Sequence, residues 1–186
     1  MAHYCIRCGT QLVARTIEGR ELEACPNDDF VLWRDPKVSA AVVVEAGGGI
    51  VLGRRAIEPG YGLWCLPGGF INDDEDPAEA AMRECREEIC VEVAITGLIG
   101  VYHVPKQDAS SIIAIAYRAR VAGDEAGPSP GDEMLEVRVF PLDALPPLAF
   151  PSHRRILREL FAGAAAAPPE TQPSAGPAPR RSPRRR

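Results

Sequence analysis

The segment from residue 69 to residue 91 constrains this chain more strongly than any other part of its sequence. Asp76-Pro77 is a helix-start signal, because proline at the first helical position sacrifices no hydrogen bond. From there to Ile89, apolar side chains recur at helical spacing and glutamates fall on a different part of the surface. The pattern predicts a helix over 77–89 that buries one face and presents a cluster of carboxylates on another.

The carboxylates of this helix are Glu84, Glu87 and Glu88. Like charges four positions apart destabilise a helix by roughly a few tenths of a kcal/mol, and a face needed only for solubility would intersperse lysines. The concentration of hard oxygen ligands instead favours a site for a divalent cation such as Mg²⁺ or Mn²⁺. Arg83, one turn before Glu87, is placed to pair with it and to fix its position.

This segment resembles the Nudix box, whose signature is G-x5-E-x7-R-E-U-x-E-E-x-G-U, with U a bulky aliphatic residue. The glycine and the charged positions that match in type and spacing are Gly69, Glu75, Arg83, Glu84, Glu87 and Glu88. Leu66-Pro67-Gly68 completes the lead-in typical of the family. Two positions depart: Cys85 replaces the first aliphatic residue, and Cys90 replaces the final glycine, which leaves the end of the helix less firmly predicted.

The resemblance covers roughly residues 36–160 and implies an α/β fold, the Nudix α/β/α sandwich with a mixed sheet. It also implies an enzyme that hydrolyses the pyrophosphate bond of a nucleoside diphosphate linked to another moiety, by attack of water on phosphorus. The implied ligands of Mg²⁺ or Mn²⁺ are Glu84, Glu87 and Glu88, with the carbonyl of Gly69 as a further candidate. The implied supporting residues of the box are Glu75 and Arg83. A divalent cation suits this reaction because it screens pyrophosphate and lowers the pKa of the attacking water.

A catalytic base is expected partly from outside the helix. Residues 131–136 form an acidic loop before a predicted strand, where Nudix enzymes commonly place another functional glutamate. Glu133 fits this role best, Glu136 is the next candidate, and Glu87 is the catalytic candidate on the helix itself. The alternative is that the two loop glutamates are ordinary solvated acids of an acidic protein.

The first cysteines have the spacing of a zinc ribbon. Cys5 and Cys8 are separated by two residues, Cys25 follows, and Asp28 stands where a complete ribbon would have its fourth cysteine. Three alternatives are open: zinc held by the three thiolates with Asp28, zinc held with His3 instead, or a ribbon that has lost its metal. A bound zinc would be structural, since so small a lobe cannot bury a core of its own.

The chain divides into a zinc-ribbon-like lobe at 1–34, a Nudix hydrolase domain at 35–163 and a disordered tail rich in Ala, Pro and Arg at 164–186. The elements predicted after the lobe are strands at 38–45, 50–52, 91–104, 111–121 and 134–140 and helices at 77–89 and 151–161. Glycines 47–49 predict a hairpin turn between the first two of these strands. Cys65, Cys85 and Cys90 are expected to be buried small hydrophobes of a reducing compartment.

Charge and hydropathy exclude several classes of function. The formal charge of −5 separates into a basic tail with five arginines and an acidic body, which disfavours specific nucleic-acid binding. No apolar run reaches membrane-spanning length and the N-terminus lacks a signal-peptide core, so a cytoplasmic protein without a membrane partner is expected. The expected partner is a small nucleotide, and the resemblance implies a homodimer.

The lobe fused to the box resembles the ADP-ribose and FAD pyrophosphatases and, less closely, the NADH pyrophosphatases, whose SQPWPFPxS array is missing from residues 100–108. ADP-ribose, FAD and NAD(H) are therefore the expected substrates. The alternatives are a house-cleaning enzyme for oxidised nucleoside triphosphates and a nucleotide sensor without catalysis. Candidate substrate-binding residues are Arg54, Arg55 and Tyr102, with His103 beside them, whereas Trp64 and Phe70 are expected in the core.

Overall fold

The computed structural model describes residues 2–105, 111–123 and 127–162. The tail predicted at 164–186 lies outside these residues. Within them, two helices and nine strands follow one another in the order β1 Val13–Ile17, β2 Arg20–Ala24, β3 Val31–Leu32, β4 Lys37–Ala46, β5 Gly49–Arg55, β6 Trp64–Cys65, α1 Pro77–Ile89, β7 Val93–Pro105, β8 Ser111–Val121, β9 Met134–Phe140 and α2 Pro151–Ala162.

The predicted elements of the main body are all present, with boundaries that move by a few residues. The hairpin between β4 and β5 is confirmed, with Ala46 opposite Gly49. The central sheet has the order β6-β5-β4-β8-β7, and β9 pairs with β5. It is mixed, because β4 and β8 run parallel whereas the other neighbouring strands run antiparallel.

The sheet separates two apolar cores, and β4 supplies both through its alternation. Val42 and Val44 pack with the apolar face of α1, whereas Val43 between them packs with α2. From α1 the first core takes Ala80, Ala81, Cys85 and Ile89, and from α2 the second takes Ile156 and Leu157. A helix therefore covers each face, which confirms the expected α/β/α sandwich.

Helix α1 has well-defined ends. The side chain of Asp76 caps its start by accepting a hydrogen bond of 2.8 Å from the backbone N–H of Ala78, and Pro77 occupies the first turn. The helix ends at Ile89, and Cys90 follows in the left-handed conformation. Cys85 is buried as expected, but Cys90 is exposed. The expectation of a buried Cys90 is wrong because the left-handed turn lifts this residue off the apolar face.

The N-terminal lobe contains a three-stranded antiparallel sheet, β1-β2-β3. Its core is small and consists of Cys5, Leu12 and Cys25, with Phe30 and Leu32 packed against it. So little apolar area cannot stabilise a lobe by itself, which makes a cross-link by a metal physically useful. Neither of the helices in the described part of the chain is long and apolar enough to span a membrane.

Candidate active site

The loop before α1 is held against strand β4 by backbone hydrogen bonds. The N–H groups of Ala40 and Val42 donate to the carbonyls of Gly69 and Pro67 at 2.9 and 2.8 Å. A side chain at Gly68 would overlap the carbonyl of Ala40, and its φ of 149° is accessible chiefly to glycine. The loop therefore approaches the strand as closely as its backbone allows, and this contact positions it over α1.

Glu88 and Glu84 face this loop. The N–H of Gly68 donates to Oε2 of Glu88 at 2.8 Å. A Cβ atom on Gly69 would overlap the carboxylate of Glu84, so only glycine leaves room for it. The Gly69 carbonyl, which already accepts one hydrogen bond from Ala40, lies beside these two carboxylates and keeps its second lone pair.

Arg83 joins the parts of the site. Its guanidinium donates to both oxygens of Glu75 at 2.7 and 2.9 Å and, through Nη1, to Glu84 at 2.8 Å and Glu87 at 2.9 Å. It also reaches the carbonyl of Phe70 at 3.1 Å. These bonds lower the pKa of Glu75 and raise that of Arg83. The arrangement suits the supporting role expected of Glu75 and Arg83.

Burial distinguishes the three helix carboxylates. Glu84 and Glu88 are only 9% and 4% exposed, whereas Glu87 is open to solvent. Burial raises the pKa of Glu88 to about 8, and burial likewise raises the pKa of Glu84. Placing two carboxylates in such a position is costly unless a positive charge compensates them. Their oxygens and the Gly69 carbonyl are the donor set that Mg²⁺ or Mn²⁺ prefers.

The glutamates open into a cavity with a volume of about 1470 Å³. The candidate residues that line it are Arg55, Gly69, Glu84, Glu87, Glu88 and Glu133. The structure thus brings together the expected metal ligands and one of the two candidate bases from the acidic loop. It also adds Phe150, Ser152 and His153 from the start of α2, which the sequence pattern did not single out.

Glu133 reaches the cavity because its loop is tied to the end of α1. The N–H of Gly131 donates to the carbonyl of Glu88 at 3.0 Å, and the carbonyl of Glu133 accepts from Ala56 at 2.8 Å. A Cβ atom on Gly131 would overlap the carbonyl of Glu87. Backbone contacts of its loop with α1 and with Ala56 therefore position Glu133 at the site.

Three other candidates lie elsewhere. Glu136 belongs to β9, outside the cavity lining, where it pairs with Arg138 and, at 3.9 Å, with Arg54. Tyr102 is 4% exposed and packs in the core beneath α2, where burial raises its pKa to about 12. The expectation that Arg54 and Tyr102 line the substrate site is therefore corrected, since alternation on β5 directs Arg54 away from the cavity and α2 covers Tyr102. Exposed His103 likewise is not among the lining residues.

Phe70 corrects another expectation. Its side chain is 47% exposed and lines the cavity, with the ammonium of Lys37 4.8 Å from the ring centroid. The expectation of a core position is wrong because the loop that places Gly69 against Glu84 turns the next residue outward. Trp64 is half-buried and meets Phe140 edge-on at 4.7 Å, in line with its expected place in the core.

The cysteine cluster of the lobe is assembled as its spacing predicts. The donor atoms of Cys5, Cys8, Cys25 and Asp28 all lie within 4.8 Å of one another. His3 instead bonds to Glu23 at 2.8 Å, which removes it from the ligand set. Three thiols and a carboxylate at this separation fit a tetrahedral zinc ion.

The two candidate metal sites differ in how closely their donors converge. Among the described residues, the cysteine cluster alone brings three or more cysteine, histidine or carboxylate donors within 4.8 Å of one another. At α1, Arg83 holds Glu84 and Glu87, while Gly68 holds Glu88. The α1 carboxylates are therefore held by the protein's own donors and do not converge within 4.8 Å as the donors of the cysteine cluster do.

Comparison with known proteins shows the family. The sequence model of the NUDIX domain matches residues 34–160. An ADP-ribose pyrophosphatase of Methanocaldococcus jannaschii is 32% identical over 152 residues, which cover 81% of this chain and 85% of that protein. An NAD-capped RNA hydrolase, NudC of Pseudomonas aeruginosa, is 31% identical over 85% of this chain, which spans only 54% of that protein's length.

The fold comparison agrees with the sequence comparison. The crystal structure of a NUDIX hydrolase from Nitrosomonas europaea superposes with a TM-score of 0.76 and 30% identity, covering 89% of this chain and 94% of the other. The matched region includes α1 and its glycine loop, with every charged position of the box in place. This chain therefore belongs to the Nudix hydrolase family and is a Nudix pyrophosphohydrolase.

Proposed function

We propose that this enzyme hydrolyses ADP-ribose, or a dinucleotide built like it, in a reaction that depends on Mg²⁺ or Mn²⁺. The observation that carries the proposal is the convergence of Glu84, Glu87, Glu88 and Glu133 on one large cavity. Its volume of about 1470 Å³ exceeds that of ordinary drug-sized pockets, so a substrate with two moieties around a pyrophosphate has room.

The candidate residues at and beside the cavity have proposed tasks. Glu84, Glu87 and Glu88, with the Gly69 carbonyl, would hold the cation, and a cation held there would screen the pyrophosphate and lower the pKa of the attacking water. The carboxylate of Glu133 accepts the proton of that water. Arg83 and Glu75 keep the ligand carboxylates in place.

ADP-ribose is favoured among the candidate substrates by the relatives. The pyrophosphatase of Methanocaldococcus jannaschii that carries this name aligns over most of both chains. The NudC relatives are longer, and an activity on NAD or on NAD-capped RNA is the second candidate, supported by their identity over 85% of this chain. FAD and NADH belong to the same chemical class and enter the same test.

The test is turnover of purified protein with Mg²⁺ or Mn²⁺ on ADP-ribose, FAD, NAD⁺, NADH and nucleoside triphosphates, with products separated by chromatography. The expected products from ADP-ribose are AMP and ribose 5-phosphate. Release of pyrophosphate from triphosphates would instead indicate a house-cleaning enzyme. Binding without turnover across the panel would indicate a sensor.

The matched variants are Glu87→Gln and Glu79→Gln, two isosteric changes on the same helix. Glu87 lines the cavity, whereas Glu79 is an exposed residue of the first turn. We expect Glu87→Gln to lower kcat by about two orders of magnitude or more, and Glu79→Gln to leave it unchanged. Equal activity of the two variants would contradict the proposed metal-binding helix.

We also propose that zinc occupies the cysteine cluster as a structural ion. Backbone N–H groups of Arg7 and Asn27 point at the sulfurs of Cys5 and Cys25 at 3.4 Å, an arrangement that stabilises thiolates. The homodimer, the cytoplasmic location and the domain boundaries of the sequence analysis stay predictions.

A further inference from the structure

Part of the cavity wall is formed by the end of β5 and the first turn of α2, and it carries hydrogen-bond donors rather than carboxylate ligands. Arg55, Ser152 and His153 all line the cavity there. Helix α2 has 12 residues and begins at Pro151, so the positive end of its dipole lies at this wall. A helix start alone does not define a binding site, but a buried arginine and a half-buried histidine beside it point to a ligand.

Arg55 is a buried cation. Its side chain is 8% exposed, and Nε donates to the carbonyl of Pro59 at 2.8 Å. Among the described residues, no carboxylate oxygen lies within 4.0 Å of its guanidinium nitrogens. The charge of Arg55 lowers the pKa of Glu88, but the two side chains form no contact ion pair, so an anionic ligand in the cavity would supply a direct partner for the guanidinium.

His153 presents a neutral donor next to this cation. Its Nδ1 accepts a hydrogen bond of 3.1 Å from the backbone N–H of Leu66, which places the ring proton on Nε2. Burial, together with the positive charge of Arg55, lowers the pKa of His153 to about 3. The ring is therefore neutral near pH 7 and offers its Nε2–H to the cavity.

Phe150 holds the two donors together. Its ring lies 5.0 Å from the ring of His153 in an edge-on contact, and the guanidinium of Arg55 lies 5.1 Å from its centroid. The cation–π contact and the edge-on contact fix the side chains from β5 and α2 relative to each other. The donors are thus arranged before any ligand arrives, as effective electrostatic stabilisation requires.

We propose that Arg55, His153 and the first turn of α2 form an anion subsite for the phosphate that leaves during hydrolysis. The inference rests on the proposed function for its place in the reaction. Water forms a bond to one phosphorus, and the bond from that phosphorus to the bridging oxygen breaks. The electron pair stays on the leaving phosphate, and the proton of the water passes to Glu133. Arg55 and Nε2–H of His153 stabilise the charge that develops on that phosphate.

The subsite is tested by binding rather than by turnover. Calorimetry without added Mg²⁺ or Mn²⁺ compares ADP with adenosine, which lacks the phosphates, on the wild-type protein and on Arg55→Gln and His153→Asn. We expect wild type to prefer ADP, and this preference to fall about tenfold in Arg55→Gln and about fivefold in His153→Asn, the losses expected for a charged and a neutral donor. Arg158→Gln removes an exposed charge from the same helix and is expected to bind like wild type.

A pair of substitutions separates the subsite from a structural role of His153. Asparagine keeps an acceptor near Nδ1 for the N–H of Leu66 and removes the donor, whereas glutamine places an amide near Nε2 and gives up that acceptor. We expect His153→Asn to stay stable and lose ADP affinity, and His153→Gln to lose stability and keep more of the affinity.

Two results would overturn the subsite: equal binding of ADP and adenosine by wild type, or wild-type preference for ADP in folded Arg55→Gln and His153→Asn. Failure of the proposed function looks different, because the protein would then not hydrolyse ADP-ribose while the dependence of ADP binding on Arg55 persists.

Discussion

Cys90 holds a backbone conformation that few residues other than glycine adopt, with φ 54° and ψ 37° at the end of α1. Its side chain is exposed, so no burial of apolar surface offsets the backbone strain. We expect Cys90→Gly to raise the free energy of unfolding by roughly 1 kcal/mol, measured by urea denaturation. Cys90→Ala is the matched control, because alanine keeps the Cβ atom and should show no such gain. A gain of equal size in both variants would trace the effect to the thiol instead.

Glu133 and Glu136 are only three positions apart, yet we expect their substitution to affect kcat very differently. Glu133 lines the cavity, whereas Glu136 pairs with Arg54 and Arg138 on β9. We expect Glu133→Gln to reduce kcat by about a hundredfold, within the range of general-base catalysis, and Glu136→Gln to reduce it far less. Steady-state kinetics at saturating metal compares the two. A larger effect of Glu136→Gln would place the base on the strand.

At this scale the sequence predicted the acids of α1 and missed the direction of strand side chains. The box is local, so spacing alone brought Glu84 and Glu88 to one surface. Arg54 and Arg55 are adjacent on β5, yet the first is exposed outside the cavity and the second is buried within it. Alternation on a strand makes such neighbours diverge, and its phase depends on which face the rest of the chain covers.

At the scale of elements, the first turn of α2 makes stability depend on pH through His153. The folded protein keeps this ring neutral, with a pKa of about 3, whereas the unfolded chain protonates it near pH 6.5. Between these values the unfolded state binds more protons, so stability falls as the pH is lowered. The contribution is fully present above pH 6.5 and decreases by up to roughly 1.4 kcal/mol per pH unit between the two pKa values.

Urea denaturation at pH 7.5 and pH 5.0 measures this effect. We expect wild type to lose more stability over that interval than His153→Asn, which cannot titrate at this position. Identical losses would mean that the ring is protonated within the fold.

The N-terminal lobe yields a prediction about metal content. If Asp28 is the fourth ligand, Asp28→Ala should release zinc more readily to a chelator, and Asp28→Cys should retain it more tightly than wild type. His3→Ala is the control, since His3 bonds to Glu23 instead of joining the cluster. Zinc released on titration with a colorimetric chelator gives the order of affinity. Loss of zinc in His3→Ala alone would show that His3, and not Asp28, is the fourth zinc ligand.

Periodicity predicted the elements of the main body well, because α1 and the long strands carry clear patterns and turn glycines. It did not place α2 at the active site. That position follows from the pairing of β4 with β8 and of β5 with β9, which are contacts between distant parts of the chain. The sequence pattern therefore could not distinguish His153, as a residue of the active site, from an ordinary core residue.

At the scale of the whole molecule, charge is divided between the acidic body and the tail, which contains five arginines and one glutamate at 164–186. Among the described residues, all groups that line the cavity belong to the body. We expect deletion of residues 164–186 to leave kcat and KM unchanged at physiological ionic strength, where charges beyond roughly 8 Å are largely screened. Steady-state kinetics of the truncated and full-length proteins tests this. A large loss of turnover would assign the tail a part in catalysis.

The cavity draws its two walls from opposite layers of the sandwich, with glutamates on α1 and donors on α2. The layers meet through a sheet whose β4 packs against both helices. Correct docking of both layers is therefore a condition for the complete site, and damage to either core should reduce activity along with stability.

Gly68 and Gly131 touch the chemistry only through their backbones, yet each sets a distance within it. A Cβ atom would overlap the carbonyl of Ala40 at the first and that of Glu87 at the second. In a saturation library selected for turnover, both positions should return glycine almost alone, as narrowly as the metal-binding glutamates. The sequence of this enzyme is thus constrained at positions where a Cβ atom would overlap the backbone as strongly as at positions whose side chains act in the reaction.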